Sequence, residues 1–251
     1  GSFSIATSVS DGVAPALTGS KAFTGIAVND APVATPVTLA AGNEDTAYTI
    51  TAATLLAGVT DIDGPTLSIT SVSVASGGGS IVNNGNGTWT YTPAANYSGP
   101  VSFSYTASDG SLSSISTASL VISPVNDAPT ATNLSTAETY TQDTPLNLVD
   151  IVVSDVDSAT VTATLTLSNP AAGSLNTATS GAVTSTYNAA TGVWTASGAI
   201  ADVNALLAGL TLTPAATFNG SFSIATSVGD GVAEALTGSK AFTGIAVNDA
   251  P

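Results

Sequence analysis

Residues 1–32, GSFSIATSVSDGVAPALTGSKAFTGIAVNDAP, return as residues 220–251 with changes only at Ser10 (Gly229) and Pro15 (Glu234). Two stretches of one chain that agree this closely face the same structural task, so the sequence is built from repeated units. A second marker, Val-Asn-Asp-Ala-Pro, stands at 28–32, 125–129 and 247–251. Proline fixes φ, lacks an N–H and drives the residue before it into an extended conformation, which suits a strand end crossing into a new unit. Cutting at the markers predicts a fragment at 1–32 that supplies the last two strands of a preceding unit. A complete unit follows at 33–129 and a longer one at 130–251.

Within 33–129, short β-branched runs alternate with turn signals: TAYTITA, LSITSVSV, GSIVNN, TWTYT, VSFSYTAS and SISTASLVIS. In VSFSYTAS, Val101, Phe103 and Tyr105 share one face and the serines the other, as when one side of a strand packs and the other meets water. Asn86-Gly87 and Asp109-Gly110 are strong turn dipeptides between such runs. With a first strand near Pro36 to Leu39, about seven strands result, the number of a typical sandwich. The longer unit reads likewise through LNLVDIVVSD, TVTATLTLS, GVWTAS and SFSIATSV. It also contains IADVNALLAGL, whose helical spacing predicts a short helix inserted before the last strands. Ala53 to Val59 is expected to form the corresponding single turn in the first unit. Trp89 and Trp194 sit in period-two strands and are expected in the core, not on a sugar-stacking platform.

The charges narrow the function. Acids outnumber bases 17 to 2, and the two cations, Lys21 and Lys240, cannot form the basic patch that nucleic acid or an anionic membrane surface requires. The chain has no Cys, His or Met, which removes zinc and copper sites, thiol chemistry and imidazole-based catalysis. No window supplies the roughly 20 apolar residues of a membrane-spanning helix, and an export signal is expected to lie outside this stretch. A net charge of −15 needs neutralising, and the natural agent is a divalent cation.

The acids gather near unit ends: Asn29-Asp30, Asp61-Ile62-Asp63-Gly64 and Asp109 near the first marker; Glu44, Asn126-Asp127, Asp155-Val156-Asp157 and Asp230 near the second. Calcium takes six to eight oxygen ligands, so a site needs several acids together, and an Asp-x-Asp turn presents two carboxylates from one loop. Asp143, Asp150 and Asp202 read instead as strand-end or helix-capping acids. Paired acids could serve a glycosidase, but these lie at linkers and not in an aromatic-lined cleft, so no enzyme is expected.

VNDAP, the EDT of Glu44 to Thr46, DIDG at Asp61, TYTP at Thr90, NYSG at Asn96 and FSYTASDG ending at Gly110 resemble the cadherin-like tandem repeats of large bacterial surface adhesins. The resemblance implies an all-β fold of tandem seven-stranded Greek-key β-sandwiches of cadherin or immunoglobulin-like type, the second with a helical insertion. It implies Ca2+ at the junctions: Asn29, Asp30, Asp61, Asp63 and Asp109 at the first, and Glu44, Asn126, Asp127, Asp155, Asp157 and Asp230 at the central one. Gln142-Asp143-Thr144 stands where EDT is expected in the longer unit, so one carboxylate is missing there, with Glu138 nearby as a substitute. The implied function is a calcium-stiffened extender of an extracellular, secreted bacterial adhesin, whose partners are neighbouring repeats. The alternative is that the repeats themselves make glycan, homophilic or other surface-ligand contacts.

Overall fold

The computed structural model describes residues 1–64 and 66–248, which divide into two compact units, one ending at Val125 and one starting at Asn126. Asp249 to Pro251 of the third marker lie outside the described residues. The fold is nearly all-β, with two short α-helices among the described residues.

Unit 1 opens with an antiparallel hairpin of β1 (Ser2–Val9) and β2 (Leu17–Thr24). Its sandwich uses β3 (Val37–Thr38), β4 (Tyr48–Thr51), α1 (Ala52–Leu56), β5 (Ser68–Ser76), β6 (Ser80–Asn83), β7 (Thr88–Thr92), β8 (Gly99–Ser108) and β9 (Ser113–Ser123). One sheet runs β4-β7-β6 and the other β3-β9-β8-β5. Val101, Phe103, Tyr105 and Ala107 of β8 alternate with partly exposed serines and threonines, so the period-two reading locates the core face. Across the two sheets Phe103 meets Tyr91 edge-on, with ring centroids 5.0 Å apart. Burying each such side chain contributes roughly 1.5–3 kcal/mol. A helical turn does form at the expected place, α1, capped by Thr51 Oγ1, which accepts from Thr54 N at 3.2 Å. It precedes β5, whereas the helix of the longer unit follows the corresponding strand, so the two are not counterparts.

Unit 2 contains β10 (Glu138–Thr141), β11 (Leu146–Asn147), β12 (Thr160–Leu167), β13 (Gly173–Leu175), β14 (Thr186–Asn188), β15 (Val193–Ala199), α2 (Ile200–Ala208), β16 (Thr211–Pro214), β17 (Phe222–Gly229) and β18 (Leu236–Ile245). A six-stranded sheet β10-β18-β17-β12-β15-β14 packs with a three-stranded sheet β11-β16-β13 around a single core. The helix lies where IADVNALLAGL predicts it, between β15 and β16, with Val203, Leu206 and Leu207 buried. Asn204 anchors it to the sandwich: its side chain accepts from Val153 N at 2.8 Å and donates to Val153 O at 2.9 Å. Both tryptophans are core residues, and Trp194 Nε1 donates to Asn176 O at 3.0 Å.

Candidate metal centres

The strands that follow Pro32 and Pro129 of the first two markers position the acids. Val33–Ala34 pairs antiparallel with Val59–Thr60, and Thr130–Ala131 pairs with Val153–Ser154. Asp61 and Asp155 directly follow the second strand of each pair, so the ladder draws the Asn-Asp linker up to the Asp-x-Asp turn. The third contributor is a hairpin tip: Asp109 lies between β8 and β9, and Asp230 between β17 and β18.

In unit 1, Asn29 Nδ2 donates to Asp109 Oδ2 at 2.7 Å and Asp30 N donates to Asp63 Oδ2 at 2.7 Å. The Asp-x-Asp turn is locked by Asp63 N donating to Asp61 Oδ1 at 2.8 Å, and the tip by Ser111 N and Leu112 N donating to Asp109 Oδ1. Unit 2 repeats this bond for bond. Asn126 Nδ2 donates to Asp230 Oδ2 at 2.6 Å, Asp127 N to Asp157 Oδ2 at 2.6 Å and Asp157 N to Asp155 Oδ1 at 3.0 Å. Val232 N and Ala233 N hold Asp230 Oδ1. Asn29, Asp30, Asp61, Asp63 and Asp109 thus converge within unit 1, and Asn126, Asp127, Asp155, Asp157 and Asp230 within unit 2.

Among the described residues no three acids close into a preformed cage. One feature of each cluster nevertheless fits a hard cation. Asp61 Oδ2 and Asp155 Oδ2, at the same position of the two units, are shielded from solvent and have no hydrogen-bond partner among the described residues. A buried carboxylate oxygen without a donor is costly, and a cation bound by oxygen ligands removes that cost. Beside Asp61 the surface dips into a depression lined by Asp30, Ala31, Val33, Thr60 and Ile62.

The carboxyls of the hairpin-tip acids are held below the usual carboxylate range. The Asn29 side-chain amide, then the backbone N–H groups of Leu112 and Ser111, lower the Asp109 pKa; the Asn126 amide, then those of Val232 and Ala233, lower that of Asp230.

Glu44 is placed differently from the rest. It is buried on the turn before β4, and its Oε1 accepts from Val125 N, immediately before Asn126, at 2.7 Å. Its counterpart Gln142 does the same work less tightly, its Oε1 accepting from Asn219 Nδ2 at 3.0 Å and Val247 N at 3.4 Å. The neighbouring Asp45 and Asp143, both at positive φ, latch to distant loops: Asp45 Oδ1 accepts from Asn96 N in the loop after β7, and Asp143 Oδ1 from Thr217 N in the loop after β16. Asp202 lies in the first turn of α2 but does not cap it; Ser180 Oγ donates to its Oδ1.

Glu138 is not a spare ligand for the position of Gln142. It is buried in an ion pair, its Oε1 2.9 Å from Lys240 Nζ, while its Oε2 accepts from Val149 N at 3.1 Å. Lys240 is wholly buried and also donates to Asn133 O and Val149 O. The alternation of β18 puts Lys240 on the same side as Phe242, which marks the lysine for burial but does not indicate its partner.

Residues 28–123 match a family model described as a cadherin-like domain. A comparison with curated protein sequences finds no match. Among solved structures the chain is similar to an endo-fucoidan hydrolase of glycoside hydrolase family 107, with 17% identity over 99% of this chain and 34% of that one, at a TM-score of 0.32. It is also similar to protocadherin gammaB7 EC3-6, at 14% identity over 97% of this chain and 58% of that one, with a TM-score of 0.47. The human desmocollin-1 ectodomain is 11% identical over 99% of this chain and 48% of that one, with a TM-score of 0.35. The chain therefore spans about a third of the hydrolase and well under two thirds of the protocadherin fragment.

Proposed function

We propose that this chain is a stretch of structural extender repeats from a large secreted bacterial adhesin, stiffened by calcium where successive units join. The observation that carries this reading is the duplicated cluster, in which a solvent-shielded carboxylate oxygen lacks a donor at Asp61 and again at Asp155. Asn29, Asp30, Asp61, Asp63 and Asp109 would hold the ion in unit 1, and Asn126, Asp127, Asp155, Asp157 and Asp230 in unit 2. A bound divalent cation supplies positive charge that neutralises these carboxylates. The residues themselves do the ordering: each cluster ties a linker, a turn and a hairpin tip, so fixing one loop fixes the linker ahead of its unit. Extracellular calcium modules bind in roughly the 0.1–1 mM range, which matches stiffening after export from low-calcium cytoplasm. The role is non-catalytic, and the partners are neighbouring repeats.

Calcium titration of the intact chain by calorimetry, with melting and small-angle scattering in calcium and in chelator, tests the reading. Heat of binding, a raised melting point and a stiffer particle are expected. Identical behaviour in calcium and chelator would sink it. The alternative of repeats that bind glycans predicts signal on a glycan array, yet both indoles that could stack on sugars are buried.

A further inference from the structure

The two copies of the repeated hairpin have identical geometry and opposite surroundings. Phe222, Ile224 and Val228 of β17 are 8%, 0% and 1% exposed, whereas Phe3, Ile5 and Val9 of β1 are 63%, 49% and 72% exposed. Pairing is nevertheless the same, Phe3 opposite Phe23 and Ile5 opposite Lys21 just as Phe222 faces Phe242 and Ile224 faces Lys240. The Phe3 and Phe23 rings stack with centroids 5.0 Å apart at 11°, and those of Phe222 and Phe242 at 5.0 Å and 10°. The docking face is therefore shaped without a partner, which lowers the ordering cost of docking.

Several residues of β1 and β2 match what the slot filled by β17 and β18 requires. A Cβ at Gly238 would lie 2.7 Å from Leu134 Cβ, so that strand needs glycine there; Gly19 keeps it although only Thr7 Oγ1 is near. Thr226 Oγ1 donates to Leu134 O at 2.9 Å, and Thr7 preserves that hydroxyl. Lys240 Nζ meets Glu138, whereas Lys21 Nζ rests over the Phe23 ring, 5.4 Å from its centroid. Both differences between the copies, Ser10 for Gly229 and Pro15 for Glu234, fall at the tip. There Asp11 Oδ1 accepts from Val13 N and Ala14 N in the same turn that Asp230 makes.

We propose that β1–β2 is a portable closing hairpin whose partner is the slot between β10 and β12 in unit 2 of a second copy, with Lys21 seated on Glu138 of that copy. The proposal does not rest on the calcium reading. In the intact chain the tethered β17–β18 hairpin has the higher effective concentration and holds the slot, so the chain is monomeric in dilute solution.

The chain shortened to residues 1–219 opens the slot and keeps the donor; 33–219 lacks both hairpins. Light scattering is expected to show dimers or closed rings for 1–219 and monomers for 33–219. Amides of β12 should exchange at least about tenfold more slowly in 1–219. Lys21→Ala in 1–219 should weaken assembly at least about tenfold, because it leaves Glu138 buried without its partner. A monomeric 1–219, whether unfolded in unit 2 or closed by its own hairpin, overturns exchange between copies. So does assembly indifferent to both Lys21→Ala and Ile5→Asp, which marks unspecific apolar contact. Should 1–219 precipitate, the intact chain decides: Lys240→Ala weakens the resident hairpin and is expected to oligomerise. Adding Lys21→Ala should restore the monomer, and a Lys240→Ala chain that stays monomeric across the concentration range overturns the proposal.

Discussion

Unit 1 holds Glu44 where unit 2 holds Gln142, and Ala118 seven residues before its marker where unit 2 has Lys240. Around these differences the scaffolds agree, down to the positive φ of Asp45 and Asp143 and the loop bonds they accept. The acidic clusters share the same linker, turn and tip bonds, with Ser158 N to Asp155 Oδ1 added in unit 2. What varies is the position of the buried charge. Unit 1 buries a carboxylate that accepts from Val125 N at its exit, while unit 2 makes that exit contact with a neutral amide and buries its charge as an ion pair between β10 and β18. The loop geometry at the clusters is therefore independent of how each sandwich is tied together, and the two can be perturbed separately.

The largest effect is expected from Lys240→Ala, which strands Glu138 in the core. Unit 2 should lose about 3–5 kcal/mol while the melting of unit 1 stays in place, as resolved by calorimetry. The pair Glu138→Leu with Lys240→Met should recover that loss, since well-packed apolar replacements for a buried ion pair are often neutral or stabilising. Next comes calcium. At a concentration about 100 times Kd each site should add about 2.7 kcal/mol, and Asp61→Asn or Asp155→Asn should weaken binding in its own unit by at least about tenfold while sparing the other. Equal loss at both units would break the comparison.

A smaller effect is expected from Glu44→Gln, which gives unit 1 the amide of unit 2. The acceptor of Val125 N survives and only its charge is lost, so about 0.5–1.5 kcal/mol should go from the melting of unit 1. The smallest concerns acid. Asp109 and Asp230 have folded pKa values below the ordinary 3.8. In chelator their contribution is present above that value and lost as pH falls through the folded pKa. Asn29→Ala and Asn126→Ala should each raise the pKa of the partner aspartate, read by NMR titration, and a shift in only one of the two would show that the clusters are not equivalent.

Much of this was legible in advance, because alternation, turn dipeptides and the Pro-terminated marker are local signals. They locate the strand faces of β8, the helix at IADVNALLAGL and the acids that converge at each linker. The ion pair was not legible: Glu138 and Lys240 are about a hundred residues apart, and only the parallel pairing of β10 with β18 brings them together. The same holds for the service Glu44 gives to Val125, which depends on where the last strand leaves the sandwich.

The recurrence of residues 1–32 at 220–251 settles from sequence alone that one chain carries the same hairpin twice, since identical residues with identical alternation favour the same local pairing. Tertiary structure alone decides that one copy is core and the other surface. Burial is a property of what lies opposite a face, and Leu134, Glu138 and β12 lie opposite only β17–β18.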